Sequence, residues 1–206
     1  MRITHEEAVA DGDTLWLFAY GSLVSSPEGV AAPEEIVDEA KLLNFSRDFC
    51  ILSTIYRGTS ENPGLTLGLV PSEGSHCEGV AMKFRAADAA AVFEAIDARE
   101  MVDCELPDGS MRGPVYQRHK LPVQLPNGCT VECLTYVADP NNKHTWRDGL
   151  EMDDKVRMIA TAEGRRGRSA AYLAEVVQAL QQRGVPCENL LELHQRVEAF
   201  GSMSRA

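Results

Sequence analysis

No run of eighteen apolar residues occurs anywhere in the 206-residue chain, which excludes a membrane-spanning helix. The start, Met1-Arg2-Ile3-Thr4-His5-Glu6-Glu7, has neither the basic opening nor the apolar core of a secretion signal. The chain therefore reads as a cytoplasmic protein. No two of its six cysteines (Cys50, Cys77, Cys104, Cys129, Cys133, Cys187) stand in Cys-x-x-Cys spacing. Cys129 and Cys133 lie in a strand-like stretch, where four residues span roughly 13 Å, too far for a disulfide or a shared metal. Reduced thiols are expected. The five histidines are equally scattered, so no metal site is expected.

Positive charge is scarce: 20 Lys and Arg against 31 Asp and Glu leave a net charge of −11. Such a surface repels nucleic-acid phosphates. A small anionic ligand needs only a local positive field, and local arginines exist at Arg47, Arg57 and the island Arg165, Arg166, Arg168. Familiar catalytic signatures are missing too. Ser22 is flanked by Tyr20 and Val24, so there is no Gly-x-Ser-x-Gly nucleophile elbow. Neither a Gly-x-x-x-x-Gly-Lys-Ser/Thr phosphate loop nor a Gly-x-Gly-x-x-Gly turn occurs.

What is present is a globular composition, 44% hydrophobic and 25% charged, sized for one domain. Residues 1–13 are polar and read as a flexible tail. The apolar run Leu15-Trp16-Leu17-Phe18-Ala19 reads as a buried strand over 14–19. It ends in a tight Tyr20-Gly21-Ser22-Leu23 turn, where glycine frees the backbone and successive N–H groups can form an anion or oxyanion site. Residues 27–40, acidic and broken by proline, read as a surface loop, and 41–53 as a strand. Residues 56–64 are dense in turn formers. Residues 65–70 and 77–84 read as two strands of a hairpin across Pro71-Ser72-Glu73-Gly74-Ser75.

The period then changes. Ala89, Val92, Phe93 and Ile96 recur at helical spacing over 88–99, with Asp88 as the N-terminal cap. A polar loop over 102–114 precedes a second hairpin, 115–123 and 129–137, turning at Pro126-Asn127-Gly128. The last third is helical: 152–162, then 170–183 with Ser169 as cap and Gly184 as stop, then 189–200. The set Tyr172, Leu173, Val176, Val177 and Leu180 reads as core packing. Strands first and helices later predict a single α+β domain.

In chain order, the strand-end and turn motifs are Tyr20-Gly21-Ser22-Leu23, Ser46-Arg47-Asp48-Phe49, Arg57-Gly58-Thr59 with Pro63-Gly64-Leu65, Gly79-Val80-Ala81 and Arg99-Glu100. Tyr116, Tyr136-Val137, and Gly164-x-x-Gly167 before Tyr172-Leu173 follow. Each is short; their shared order and spacing resemble the ChaC-like γ-glutamylcyclotransferases over roughly residues 15–197. The resemblance implies a small mixed, mainly antiparallel β-barrel with flanking helices and a cofactor-free enzyme, monomer or homodimer. The family's typical substrate is glutathione, cleaved to 5-oxoproline and cysteinylglycine. The 20–23 turn would cradle the γ-glutamyl group, Glu100 would be the acid/base, and Tyr116 and Tyr136 would line the pocket. Arg47 and Arg57 are candidates equally for substrate binding and for pinning loops. Val24-Ser25-Ser26 replace a tryptophan that many members carry, Arg47-Asp48-Phe49 replaces Arg-Arg-Phe, and the loop after Glu100 is longer. No motif is assigned to the cysteinylglycine half.

That chemistry suits a chain without a nucleophile motif. The substrate's own α-amine attacks its γ-carbonyl, so the protein supplies proton transfer, oxyanion stabilisation and positioning. Alone, a carboxylate at a helix C-terminus is usually just solvated. The negative helix end disfavours its charged form, and partial burial would raise its pKa further. Two alternatives accompany this reading: ring closure of another γ-glutamyl amide or amino acid, and a non-catalytic binding protein on the same scaffold.

Overall fold

The computed structural model describes residues 3, 7, 14–25, 30–101, 104–105, 111–142, 146–147 and 149–203. Its centre is a closed barrel. Strand β1 (Thr14–Ala19) pairs with β3 (Gly64–Arg85), β3 with β2 (Glu35–Ser53), β2 with β6 (Tyr116–Gln124) and β6 with β7 (Thr130–Ala138). These pairings are antiparallel, and β7 closes the barrel on β1 by a parallel contact at Leu17 and Leu134. The mainly antiparallel mixed barrel expected from the resemblance is thus present. Two short strands, β4 (Cys104–Glu105) and β5 (Met111–Arg112), pair with each other beyond helix α1 (Ala86–Glu100).

The interior is filled by alternate residues of the strands, as a pleated sheet requires. Leu17, Phe49, Leu65, Leu67, Leu69, Met82 and Phe84 are all buried. Helix α1 adds Val92, Phe93 and Ile96, the periodic set read from the sequence. Three more helices pack outside: α2 (Met152–Thr161), α3 (Ser169–Gln182) and α4 (Glu188–Met203). Between α2 and α3 a minimal hairpin, β8 (Glu163–Gly164) and β9 (Gly167–Arg168), turns at the arginine island.

Several local expectations are corrected. Residues 65–70 and 77–84 do not pair with each other. Both belong to the one long strand β3, and both pair with β2, whose own hairpin turns across residues 54–63. The turn formers at 72–75 make an outward bulge instead: Leu43 faces His76 and Phe45 faces Pro71, so four residues stand opposite Asn44. Asn44 takes a left-handed φ of 61°, and its side-chain oxygen accepts the Gly74 N–H at 3.1 Å. Bulges of this kind bend a long ribbon so that it can close. The end of the 27–40 loop is also strand, because β2 begins at Glu35 and pairs with Lys83. Asp88 lies in the first turn of α1 and not at its cap, which is Arg85; the two side chains pair at 2.7 Å. Ser169 is likewise the first helical residue, not the cap. Within the 1–13 tail, Ile3 is buried and donates its N–H to the Arg118 carbonyl at 3.0 Å, so this residue at least is tied down. The rest of the 1–13 segment, apart from Glu7, and most of the 102–114 loop lie outside the described residues.

Candidate active site

The apolar run of β1 is buried on the barrel wall, and its end delivers Tyr20 and Gly21 into a 3₁₀ turn over Ser22–Ser25, closed by Val24 N–H to Gly21 O at 2.9 Å. Gly21 is required for space and not for an unusual backbone. It has no positive φ, but a Cβ there would stand 2.8 Å from Leu67 Cδ2. Leu67 is itself packed in the core. The turn is held from two sides. The Tyr20 hydroxyl donates to the Tyr136 carbonyl at 2.8 Å, and the Arg47 guanidinium donates to the Tyr20 carbonyl at 3.0 Å.

Against this turn the fold sets the last residue of α1. A cavity of about 340 Å³, counting space open to solvent, is lined by both residues 20–23 and Glu100. Tyr116, Tyr136 and Tyr172, with Phe18 and Leu67, complete its lining. Thus the motifs at 20–23, 100, 116 and 136, separated by up to 116 positions in the chain, meet in one place.

Arg47 and Arg57 are placed differently. Neither lines this cavity. Arg47 supports the turn from behind and borders a separate cleft with Cys77 and Cys187. Arg57 donates to the Arg166 carbonyl at 2.8 Å, pairs with Glu175 at 3.5 Å and lies 5.0 Å from the centre of the Tyr172 ring. These contacts tie the loop after β2 to the β8–β9 turn and to α3. Tyr172 packs against the core with Leu173, Val176, Val177 and Leu180, as expected, and in addition lines the cavity. Its place in the helical apolar pattern of α3 masked this second role; the signals available were a hydroxyl at the edge of that stripe and its position after Gly164-x-x-Gly167.

The electrostatics single out one titratable group. Glu100 is largely buried, with a side chain 14% exposed. Burial raises its pKa above the usual carboxylate value, while the charges of Arg99 and Arg166 oppose the rise. Arg99 spans the site: its Nε lies 3.2 Å from Glu100 Oε1, and its terminal nitrogen donates to Ser22 Oγ at 2.7 Å. Burial, reinforced by the Glu100 charge, also lifts the Tyr20 hydroxyl far above its ordinary range, and burial with the neighbouring Tyr20 does the same to Tyr116. Tyr172 is pushed up to about 12, chiefly by burial and then by Glu100. Tyr136 rises too, from burial and then from Asp97.

The four tyrosines are therefore neutral hydrogen-bonding groups at physiological pH, and they share the cavity with the Glu100 carboxyl. The tyrosines are also oriented. Tyr116 donates to the Leu67 carbonyl at 2.8 Å. Tyr136 donates to Asp97 at 3.3 Å, whose carboxylate is in turn gripped by Arg118 through two hydrogen bonds.

The fold is thus a small closed barrel with outer helices, whose cavity brings a buried carboxylate together with a strand-end turn. The family model described as "ChaC-like protein" matches residues 15–200, and the chain belongs to that family. It is 28% identical over 188 residues to the glutathione-specific γ-glutamylcyclotransferase of Escherichia coli, covering 89% of this chain and 72% of that one. It is 26% identical over 185 residues to the enzyme of the same name from Schizosaccharomyces pombe, covering 82% and 83%. Among solved structures, the yeast γ-glutamyl cyclotransferase specific to glutathione superposes with a TM-score of 0.72 at 22% identity, over 91% of this chain and 97% of that one. This last likeness is one of fold.

Proposed function

We propose that this protein is a γ-glutamylcyclotransferase that cleaves glutathione to 5-oxoproline and cysteinylglycine. The observation that carries the proposal is the buried Glu100 carboxylate, with its raised pKa, lining one cavity together with the 20–23 turn. The names of the relatives and the family membership support the same reading.

In this reading the γ-glutamyl group folds against residues 20–23 with its α-amine toward Glu100. Glu100 takes a proton from the attacking amine as the five-membered ring closes, then returns it to the departing cysteinyl nitrogen. General acid–base work of this kind contributes about 10²–10⁴-fold. A carboxylate whose pKa is raised is better matched to shuttling near neutral pH than an exposed one. Backbone N–H groups of the turn stabilise the oxyanion on the γ-carbon. The neutral tyrosine hydroxyls hydrogen-bond the glutamyl head without competing for its proton. Holding amine and carbonyl in contact supplies much of the remaining acceleration.

The test is to incubate purified protein with glutathione, a panel of other γ-glutamyl amides and amino acids, and the α-linked Glu-Cys-Gly peptide, and to measure 5-oxoproline. Glutathione is expected to react and the α-linked peptide to be inert, since it lacks the amide that closes the ring. Turnover of another panel member in place of glutathione would reassign the substrate. No 5-oxoproline from any member would refute the reading.

A further inference from the structure

The arginine island has no part in the chemistry above and does not line the cavity, yet the fold ties one of its members, through Arg57, to the cavity residue Tyr172. The turn between β8 and β9 is bonded to the loop that follows β2: Arg165 N–H donates to the Ile55 carbonyl at 2.8 Å and Arg166 N–H to the Tyr56 carbonyl at 2.9 Å. Arg57 clamps the same turn through the Arg166 carbonyl. The approach is so close that a Cβ on Gly164 would stand 2.6 Å from the Gly58 nitrogen. This turn is therefore rigidly placed. Its Arg166 guanidinium sits 4.5 Å from the centre of the Tyr56 ring and stays exposed to solvent. In a chain with 31 acidic and 20 basic residues, Arg166 has no carboxylate partner among the described residues, whereas neighbouring Arg57 is engaged by Glu175. The positive charge of Arg166 is felt at Glu100, where it opposes the effect of burial. Arg57 links the two regions, since it touches both Arg166 and the ring of the cavity residue Tyr172.

The geometry of the reaction decides which part of a substrate meets this arginine. The reacting amine and carbonyl must reach Glu100 and the turn, so the glutamyl half takes the buried end and the departing half points to the rim. A dipeptide leaving group ends in a carboxylate about 7 Å beyond the scissile nitrogen when extended. A planar guanidinium held by stacking is suited to grip a carboxylate through two parallel hydrogen bonds. We propose that Arg166 is a specificity residue that binds the terminal carboxylate of the leaving peptide and so selects γ-glutamyl substrates whose departing half is anionic. This rests on the function proposed above and adds the recognition of the half for which the sequence offers no motif.

The experiment compares glutathione with its C-terminal glycinamide, in which that carboxylate is neutral, by 5-oxoproline release. Wild type, Arg166→Gln and Arg166→Lys are each measured on both. A charge-assisted contact of this kind is expected to favour glutathione over the amide by about 10–100-fold in kcat/KM in the wild type. Arg166→Gln should lose that preference by slowing glutathione alone, mainly through KM, and Arg166→Lys should retain part of it. An equal loss on both substrates would overturn the proposal and place Arg166 on the glutamyl half or on the proton equilibrium of Glu100. No loss on either would also overturn it. In both cases the wild type still turns over, so the proposed function stands. A wild type that releases no 5-oxoproline from either substrate refutes that function, and the subsite with it.

Discussion

Replacing Glu100 by Gln keeps the size of the side chain and removes its proton acceptor. If Glu100 shuttles the proton, kcat should fall by about 10²–10⁴-fold, equivalent to about 3–5 kcal/mol of barrier. Apparent substrate affinity should change far less, because the turn, Arg99 and the tyrosine hydroxyls remain. The same substitution makes a stability prediction with a defined sign. The folded-state pKa of Glu100 lies above its ordinary value of 4.5, so between those two values the native state binds more protons than the unfolded state. Stability contributed by protonated Glu100 is full below the unfolded pKa and is lost as pH rises through the folded one. At pH 7 wild type therefore bears the cost of a buried charge at a helix C-terminus, and the glutamine variant does not. Thermal melts should show Glu100→Gln with the higher Tm at pH 7 and the difference shrinking toward pH 4. The pH profile of wild-type kcat should carry an ionisation above the usual carboxylate range that the variant lacks. A folded Glu100→Gln protein turning over within a factor of a few of wild type would refute the assignment. Asp97 could not then simply replace it, because it is held by Arg118 and Tyr136; of the other nearby carboxylates, Asp103 and the side chain of Glu105 lie outside the described residues.

Two further substitutions separate support from chemistry. Tyr116→Phe and Tyr136→Phe each remove one hydroxyl hydrogen bond, to the Leu67 carbonyl and to Asp97. Each should cost about 0.5–1.5 kcal/mol of stability by denaturant titration and reduce kcat much less than Glu100→Gln in the same assay. Ser169→Ala should damage the fold rather than the chemistry. The buried Ser169 hydroxyl accepts the Leu65 N–H at 3.2 Å and donates to the Leu65 carbonyl at 3.0 Å. Its loss leaves two buried backbone groups unpaired, at about 1–3 kcal/mol each; a lowered Tm with kcat unchanged at permissive temperature is the expected result.

Features set by neighbours in the chain were legible in the sequence. The run over residues 15–19 is apolar enough to be a buried strand in most settings, and the helical spacing of Val92, Phe93 and Ile96 selects one face whatever packs on it. Glu100 falls at the helix exit for the same local reason, so the burial of that exit was the part left open. Features that depend on a distant partner were not legible. Pro71 and Gly74 carry ordinary turn chemistry, yet strand β2 outcompetes a local hairpin because it offers a ladder to both flanking segments and absorbs the excess residues as a bulge at Asn44. Ser169 looks like a cap, but its hydroxyl is claimed by Leu65, 104 positions away. Tyr172 and Arg47 have unremarkable local patterns. Only closure of the barrel turns the first into a wall of the cavity and the second into the support of its turn. Local propensity thus determined which residues could form each element. The pairing of remote backbone groups decided the register, and with it which side chains share a cavity with Glu100, because burial and hydrogen-bond partners are properties of the assembled fold and not of any one segment.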